Sequence, residues 1–153
     1  MVKELRIGNK RFQLGKRTII MGILNVTPDS FSDGGRFLSL DKAVEHAVQM
    51  EKDGADIIDI GGESTRPGAS PVSVEVEMNR VVPVIEQLIE KLDVPLSIDT
   101  YKSVVARKAL DLGVGMVNDI TAFRGDPGLA DVVKDYDVPI CLMHMKGNPR
   151  DMQ

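Results

Sequence analysis

Tryptophan is absent from this 153-residue chain, and four Phe and two Tyr are its only other aromatic side chains besides histidine. So few rings disfavour a stacking platform for single-stranded nucleic acid. The formal net charge of −4 is mild and has the wrong sign for nucleic acid or an anionic membrane surface as main partner. A single cysteine cannot build a disulfide framework, so the expected compartment is the reducing cytoplasm. The start, Met1-Val-Lys-Glu-Leu-Arg6, lacks the apolar run of a signal peptide, and no segment approaches the ~20 apolar residues of a membrane helix. No linker, low-complexity tract or solenoid-length repeat interrupts the chain, which reads as one domain over residues 1–153.

What is present is alternation. Residues 5–7 and 11–14 flank Gly8-Asn-Lys10 and predict a small hairpin. Short β-branched runs follow at residues 18–24, 56–60, 96–98, 116–117 and 139–143. Between them lie helical stripes. Leu40, Ala43, Val44, Ala47 and Val48 follow Ser39 as a cap, and Gly54 marks the end. Met78, Val81, Val82, Ile85, Leu88, Ile89 and Leu92 follow Ser73, with Pro83 expected to kink the helix or start its second half. A third stripe runs from Tyr101 to Leu112 and closes at Gly113, and Asp126-Pro127 opens a short fourth helix ending near Tyr136. Strands alternating with helices imply a parallel sheet with helical crossovers.

Each apolar strand delivers polar groups at its carboxyl end. The first runs into Asn25, the second carries Asp59 and runs into Glu63-Ser-Thr-Arg66, and the third ends at Asp99. The fourth ends at Asn118-Asp119 and the fifth at His144. That edge carries the site in open α/β sheets and in (β/α)8 barrels alike. The polar excursion from Asn25 to Gly35 also exceeds the two to six residues of an ordinary connection, as binding loops do. No G-x-G-x-x-G follows the first strand, which argues against a dinucleotide-binding sheet. The pattern fits a (β/α)8 TIM barrel, but a full barrel has eight units and about 250 residues. The expected fold is therefore α/β, a barrel truncated to about its first five strands, with an N-terminal β-hairpin.

The motifs then carry a resemblance. Leu24-Asn-Val-Thr-Pro-Asp-Ser-Phe-Ser-Asp33, Asp59-Ile-Gly-Gly-Glu-Ser-Thr-Arg-Pro-Gly68, Ser97-Ile-Asp-Thr100, Val117-Asn-Asp-Ile120 and Leu142-Met-His-Met-Lys-Gly147 resemble bacterial dihydropteroate synthase in identity, order and spacing. The resemblance spans the whole chain, hairpin included. It implies a Mg²⁺-dependent barrel, usually a homodimer and a sulfonamide target. The implied reaction joins 6-hydroxymethyl-7,8-dihydropterin diphosphate to 4-aminobenzoate, giving 7,8-dihydropteroate and pyrophosphate for folate synthesis.

By this resemblance Asn25 binds Mg²⁺ and the diphosphate through its amide oxygen, where an oxygen donor suits a hard cation. Its bland alternative is a turn-starting Asn. Residues 27–35 resemble the loop that closes over the reaction, with Phe31 and Asp33 contacting the aminobenzoate; a lone Phe can equally anchor a loop, and Asp29 can cap a turn. Thr65 and Arg66 resemble diphosphate and aminobenzoate contacts, the guanidinium being suited to an anion. Glu63 reads as a brace for that loop. Asp99 is the strongest candidate: its carboxylate can accept paired hydrogen bonds from a pterin's amino-pyrimidine edge and stabilise a developing pterin-methyl cation. It could instead cap the next helix, unless Thr100 does so. Asn118 resembles a second pterin-edge contact, with Asp119 a turn residue. Ile120 and Met143 wall the ring pocket, or belong to the core. His144 reads as a strand-end histidine satisfied by the backbone rather than a general base, His46 as solvated, and Cys141 as buried and inert.

The implied chemistry is metal-assisted loss of pyrophosphate, after which the aniline nitrogen attacks the pterin-methylene cation. In the family, later strands supply a second pterin-binding Asp, a Lys and an Arg-x-His pair, and none maps onto these residues. The 153-residue chain alone is therefore expected to bind pterin weakly or not at all and to have no synthase activity. A second reading is a non-catalytic half-barrel that binds or self-associates. A related barrel that moves a methyl group from methyltetrahydrofolate to a corrinoid is disfavoured by the block at residues 25–33.

Overall fold

The computed structural model describes residues 3–27, 35–64 and 70–144, with residues 35–39 described by backbone alone. The hairpin forms as expected, β1 (Lys3–Ile7) pairing antiparallel with β2 (Lys10–Leu14) across a turn in which Gly8 takes φ +56°. Five parallel strands follow: β3 (Met21–Asn25), β4 (Ile57–Gly61), β5 (Leu96–Asp99), β6 (Met116–Asp119) and β7 (Ile140–Leu142), hydrogen-bonded in chain order. Helices α1 (Gly35–Lys52), α2 (Val74–Lys91), α3 (Ser103–Asp111) and α4 (Gly128–Tyr136) fill the crossovers. This is the strand–helix succession of a barrel's first five units, the truncated α/β barrel the sequence pattern implies.

Strand register sorts the side chains into two faces. Leu24, Ile60, Ile98, Val117 and Ile140 occupy one continuous register line. The first four are fully buried, and the line packs with Val81, Ile85, Leu88, Val105 and Leu129 of the helices. Full burial of such a side chain contributes about 1.5–3 kcal/mol, so this helix-facing line is the main fixture of the sheet. On the opposite face a smaller apolar cluster of Ile7, Ile57 and Met116, backed by Leu5, Phe12, Ile19 and Met21, seats the hairpin against the amino-terminal end of the strands. Gly115 permits that close approach, because a Cβ there would lie 2.8 Å from the Gly8 amide nitrogen.

Several local expectations shift. The first sheet strand begins at Met21 rather than residue 18, because the preceding backbone is engaged sideways: Ile20 N–H donates to Asp56 Oδ2 (2.9 Å), and the Ile20 carbonyl accepts from Asp56 and Ile57. Helix α1 starts at Gly35, so Ser39 lies inside it and is no cap. Ser73 does cap α2, its Oγ accepting from Val76 N–H at 3.2 Å. Pro83 neither ends nor restarts α2, which runs unbroken with Val81, Val84, Ile85 and Leu88 buried on both sides of it. Asp126 serves two helices at once. Its Oδ1 accepts from Gly128 N–H (2.9 Å) at the start of α4, and its Oδ2 accepts from Ser103 N–H (2.8 Å) at the start of α3. Among the described residues no helix is long and apolar enough to cross a membrane.

Candidate active site

The carboxyl ends of the strands form a second register line, Asn25–Gly61–Asp99–Asn118–Cys141. Three of the predicted site residues, Asn25, Asp99 and Asn118, thus stand side by side on adjacent or next-adjacent strands. Gly61 leaves the gap between two of them. A Cβ built on it would sit 3.4 Å from Asp99 Oδ2 and 3.8 Å from Asn25 Oδ1, so both oxygens converge on the space a side chain would take.

Below this line lies a row of Ile23, Asp59, Ser97 and Met116. Asp59 is 1 % exposed, and its Oδ2 accepts from Asn118 Nδ2 at 2.8 Å, linking the two rows across the sheet. Among the described residues, its other oxygen and the buried Ser97 hydroxyl lack a hydrogen-bond partner of good geometry. Burial raises the Asp59 pKa, and the Asn118 amide works against that rise. Asp99 feels a stronger version of the same physics. Burial, followed by the charges of Asp59, Glu77, Asp119 and Glu63, pushes its carboxyl up to about 7. A carboxylate held this far from its ordinary range by its surroundings, at a strand end, is a mark of a functional site. Asp99 is not a helix cap: Lys102 is the N-cap residue of α3, and the Thr100 hydroxyl accepts from its N–H at 3.2 Å just ahead of the helix.

Among the described residues, Lys102 is set against this acidic cluster. The Lys102 ammonium is 11 % exposed and donates to Glu63 Oε2 (2.5 Å) and to Glu77 Oε2. Burial works against its charge, but the hydrogen bonds and charges of the two glutamates outweigh it and hold its pKa above the ordinary lysine range. Glu63 also accepts from Val72 N–H (3.0 Å), and Arg80 Nη1 donates to the Gly62 carbonyl (2.7 Å). Glu63 therefore braces both ends of the connection between β4 and α2, as expected.

Asp119 does more than turn the chain. Fully buried, it accepts from Thr121 N–H (2.7 Å), Thr121 Oγ1 (2.8 Å) and Phe123 N–H (2.7 Å). These bonds hold Ala122 and Phe123 at φ +52° and +66°, the left-handed region that ordinary side chains avoid. Ile120, at the start of this turn, is half-buried. Met143, also half-buried, donates its N–H to the Asp119 carbonyl at 3.1 Å, which sets the two proposed ring-wall residues on neighbouring connections. Cys141 is exposed, contrary to expectation: it lies on the site-facing register line of β7 instead of among the helices. His144 and His46 are exposed. Phe31, Asp33, Thr65 and Arg66 lie outside the described residues, as does Asp29.

Sequence reasoning passed over Asp59 and Lys102 as site components. The signal for Asp59 was available, since a carboxylate inside the apolar run Ile57-Ile-Asp-Ile60 has to be buried.

The family model of pterin binding enzymes matches residues 21–153. The chain belongs to the pterin-binding enzyme family. Dihydropteroate synthase of Clostridium beijerinckii is 55 % identical over 144 residues, covering 94 % of this chain and 54 % of that protein. The crystal structure of Xanthomonas albilineans dihydropteroate synthase with 4-aminobenzoic acid superposes with TM-score 0.89 at 50 % identity, covering 96 % of this chain and 53 % of that one. The same enzyme in complex with 7,8-dihydropteroate superposes with TM-score 0.83 at 46 % identity, over 94 % of this chain and 52 % of that one. This family member thus spans about half the length of the relatives it matches.

Proposed function

We propose that this chain carries the pterin-facing half of a dihydropteroate synthase site. The observation that carries the reading is the register line Asn25–Gly61–Asp99–Asn118 at the carboxyl edge of the sheet, with the Asn25 and Asp99 oxygens converging over Gly61. Asp99 accepts from the amino-pyrimidine edge of the pterin, and Asn118 pairs with the same edge through its amide. Ile120 and Met143 wall the ring. Thr65 and Arg66 contact the diphosphate and the aminobenzoate, and Phe31 and Asp33 help form the aminobenzoate site. The relatives' complexes with 4-aminobenzoic acid and 7,8-dihydropteroate support this choice of ligand class.

Mg²⁺ fits Asn25 by donor chemistry. Among the described residues no group of three or more acidic, His or Cys side chains could hold a metal unaided. A lone amide oxygen instead suits Mg²⁺, which keeps its waters and takes its remaining ligands from a substrate phosphate. When bound there it neutralises charge on the departing diphosphate. The chain's own residues bind and orient the pterin, and Asp99 sets negative charge near the methylene that loses the diphosphate. The single cysteine accords with a cytoplasmic setting. The homodimer of the family is part of the same proposal.

The test is a 6-hydroxymethylpterin titration of the isotopically labelled chain followed by NMR. Weak binding should shift the signals of Asp99, Asn118 and Gly61 first. Shifts centred on the groove lined by Arg11, Lys16 and Arg17, at the other end of the strands, would contradict the assignment. No turnover is expected from the 153-residue chain by itself. A non-catalytic, self-associating role draws on one observation: Ile23 and Leu142, on the first and last sheet strands, are 52 % and 44 % exposed. A discrete, stable oligomer of this chain in size-exclusion chromatography would favour that reading.

A further inference from the structure

We infer that Asp59 is the positioning residue for Asn118, fixing which end of the Asn118 amide a ligand meets. This rests on the proposed role of Asn118 at the pterin edge. An asparagine amide offers a donor at one end and an acceptor at the other, and nothing in its shape decides between them. The decision here comes from below. Asp59 Oδ2 lies 2.8 Å from Asn118 Nδ2, and an ionised carboxylate only accepts. The amide nitrogen must therefore turn toward the lower row, leaving Oδ1 and the second N–H for the ligand.

The fold protects this arrangement. Asp59 is 1 % exposed and Asn118 only half-buried, so the carboxylate is walled in while the amide borders the open edge. The backbone that carries Asp59 is fixed, because it lies in the middle of β4 between Ile58 and Ile60, both fully buried on the opposite face. It also lies one row below Asp99 and so keeps out of the plane that the ligand edge would occupy. Its Oδ1, without a partner among the described residues, poses the competing reading in which Asp59 touches the ligand directly, and the experiment separates the two.

The labelled chain is measured at pH 8, where Asn118 side-chain amide signals are identified by their loss in Asn118→Ala. In the parent, these amide protons should exchange slowly with solvent. Asp59→Ala should speed that exchange at least tenfold. Asp59→Asn keeps the volume and so guards against a folding failure; its amide can pair with Asn118 in either sense, which should give averaged or doubled Asn118 side-chain signals. Binding of 6-hydroxymethylpterin should weaken about tenfold in Asp59→Asn, the scale of one oriented hydrogen bond. The same substitution placed on Asn118→Ala should add nothing.

Unchanged Asn118 signals in both Asp59 variants would overturn the inference. Equal weakening by Asp59→Asn in both backgrounds would overturn it differently, by making Asp59 a ligand contact in its own right. If Asn118→Ala leaves pterin affinity untouched, the role of Asn118 proposed above fails, and the inference falls with it.

Discussion

Two adjacent glycines should separate folding from binding. At Gly62 a Cβ would lie 2.8 Å from Val81 Cγ1, 3.0 Å from Glu77 Cγ and 3.2 Å from the Glu77 carbonyl oxygen. Both neighbours belong to α2 and are 1 % exposed, so neither has room to retreat. Gly62→Ala must then push the β4–α2 connection off the helix. Overpacking of this kind costs about 1–3 kcal/mol. With a urea slope of roughly 2 kcal/mol per molar, the midpoint should fall by about 1 M. At Gly61 the contacts are 3.4 and 3.8 Å, ordinary van der Waals distances, and they are made to Asp99 and Asn25 rather than to the core. Gly61→Ala should fold within about 1 kcal/mol of the parent, since a glycine replaced at a permitted backbone angle also loses unfolded-state entropy. Its methyl group nonetheless fills the space between the two site oxygens, and pterin binding should weaken at least tenfold. Circular dichroism is the natural probe for the urea titration, as the chain has no tryptophan. Equal midpoints for the two variants, or parent-like pterin affinity in Gly61→Ala, would refute the reasoning.

Three further outcomes follow from the same geometry. Asp56 accepts from Arg17 at 2.7 and 2.5 Å, and those hydrogen bonds, opposed by burial, lower its pKa from the ordinary 3.8 to about 2. Its contribution to stability is therefore complete above pH 4 and lost as pH falls toward 2. With Arg17 59 % exposed, solvent screens the pair and keeps this contribution small, and Asp56→Asn should lose less stability than the parent between pH 6 and pH 2. Asp126→Ala removes the acceptor for the first backbone N–H of α3 and of α4 together and should cost roughly 1–2 kcal/mol, read as a melting temperature lower by about 4 °C. Asp99, raised to about 7, has the opposite sign to Asp56: the folded state holds the proton that the unfolded chain has released, so this group makes stability fall as pH rises from about 4 to 7. Asp99→Asn should flatten that fall and be more stable than the parent at pH 8, while losing pterin affinity; a parent curve already flat over that window would contradict the assignment.

The sequence made some features legible and hid others for physical reasons. Strand–helix alternation and the polar residue at each strand end are local patterns, and they led to Asn25, Asp99 and Asn118. Their alignment on one line depends on register, which the apolar line Leu24–Ile60–Ile98–Val117 on the opposite face enforces by burial. The Asp59–Asn118 bond joins residues 59 positions apart, and no spacing rule reports it. Lys102 belongs to no local pattern that marks it, yet the fold buries it between Glu63 and Glu77. Cys141 looked like core because it lies in an apolar run, but a strand has two faces and Cys141 is on the site's face. Helix starts were read within a few residues, and the largest miss, Ser39, came from treating a serine inside the first turns of α1 as its cap.

The central claim is that Asp99, on its register line, reads a pterin for dihydropteroate formation. A chimera in which this chain replaces the matching amino-terminal half of the Clostridium beijerinckii dihydropteroate synthase tests it directly, since the two are 55 % identical over 144 residues. The chimera should form 7,8-dihydropteroate, and Asp99→Ala should lower its kcat/KM by about a hundredfold or more, the worth of one charge-assisted pair of hydrogen bonds. An inactive but folded chimera, or an Asp99→Ala chimera as active as its parent, would contradict the account.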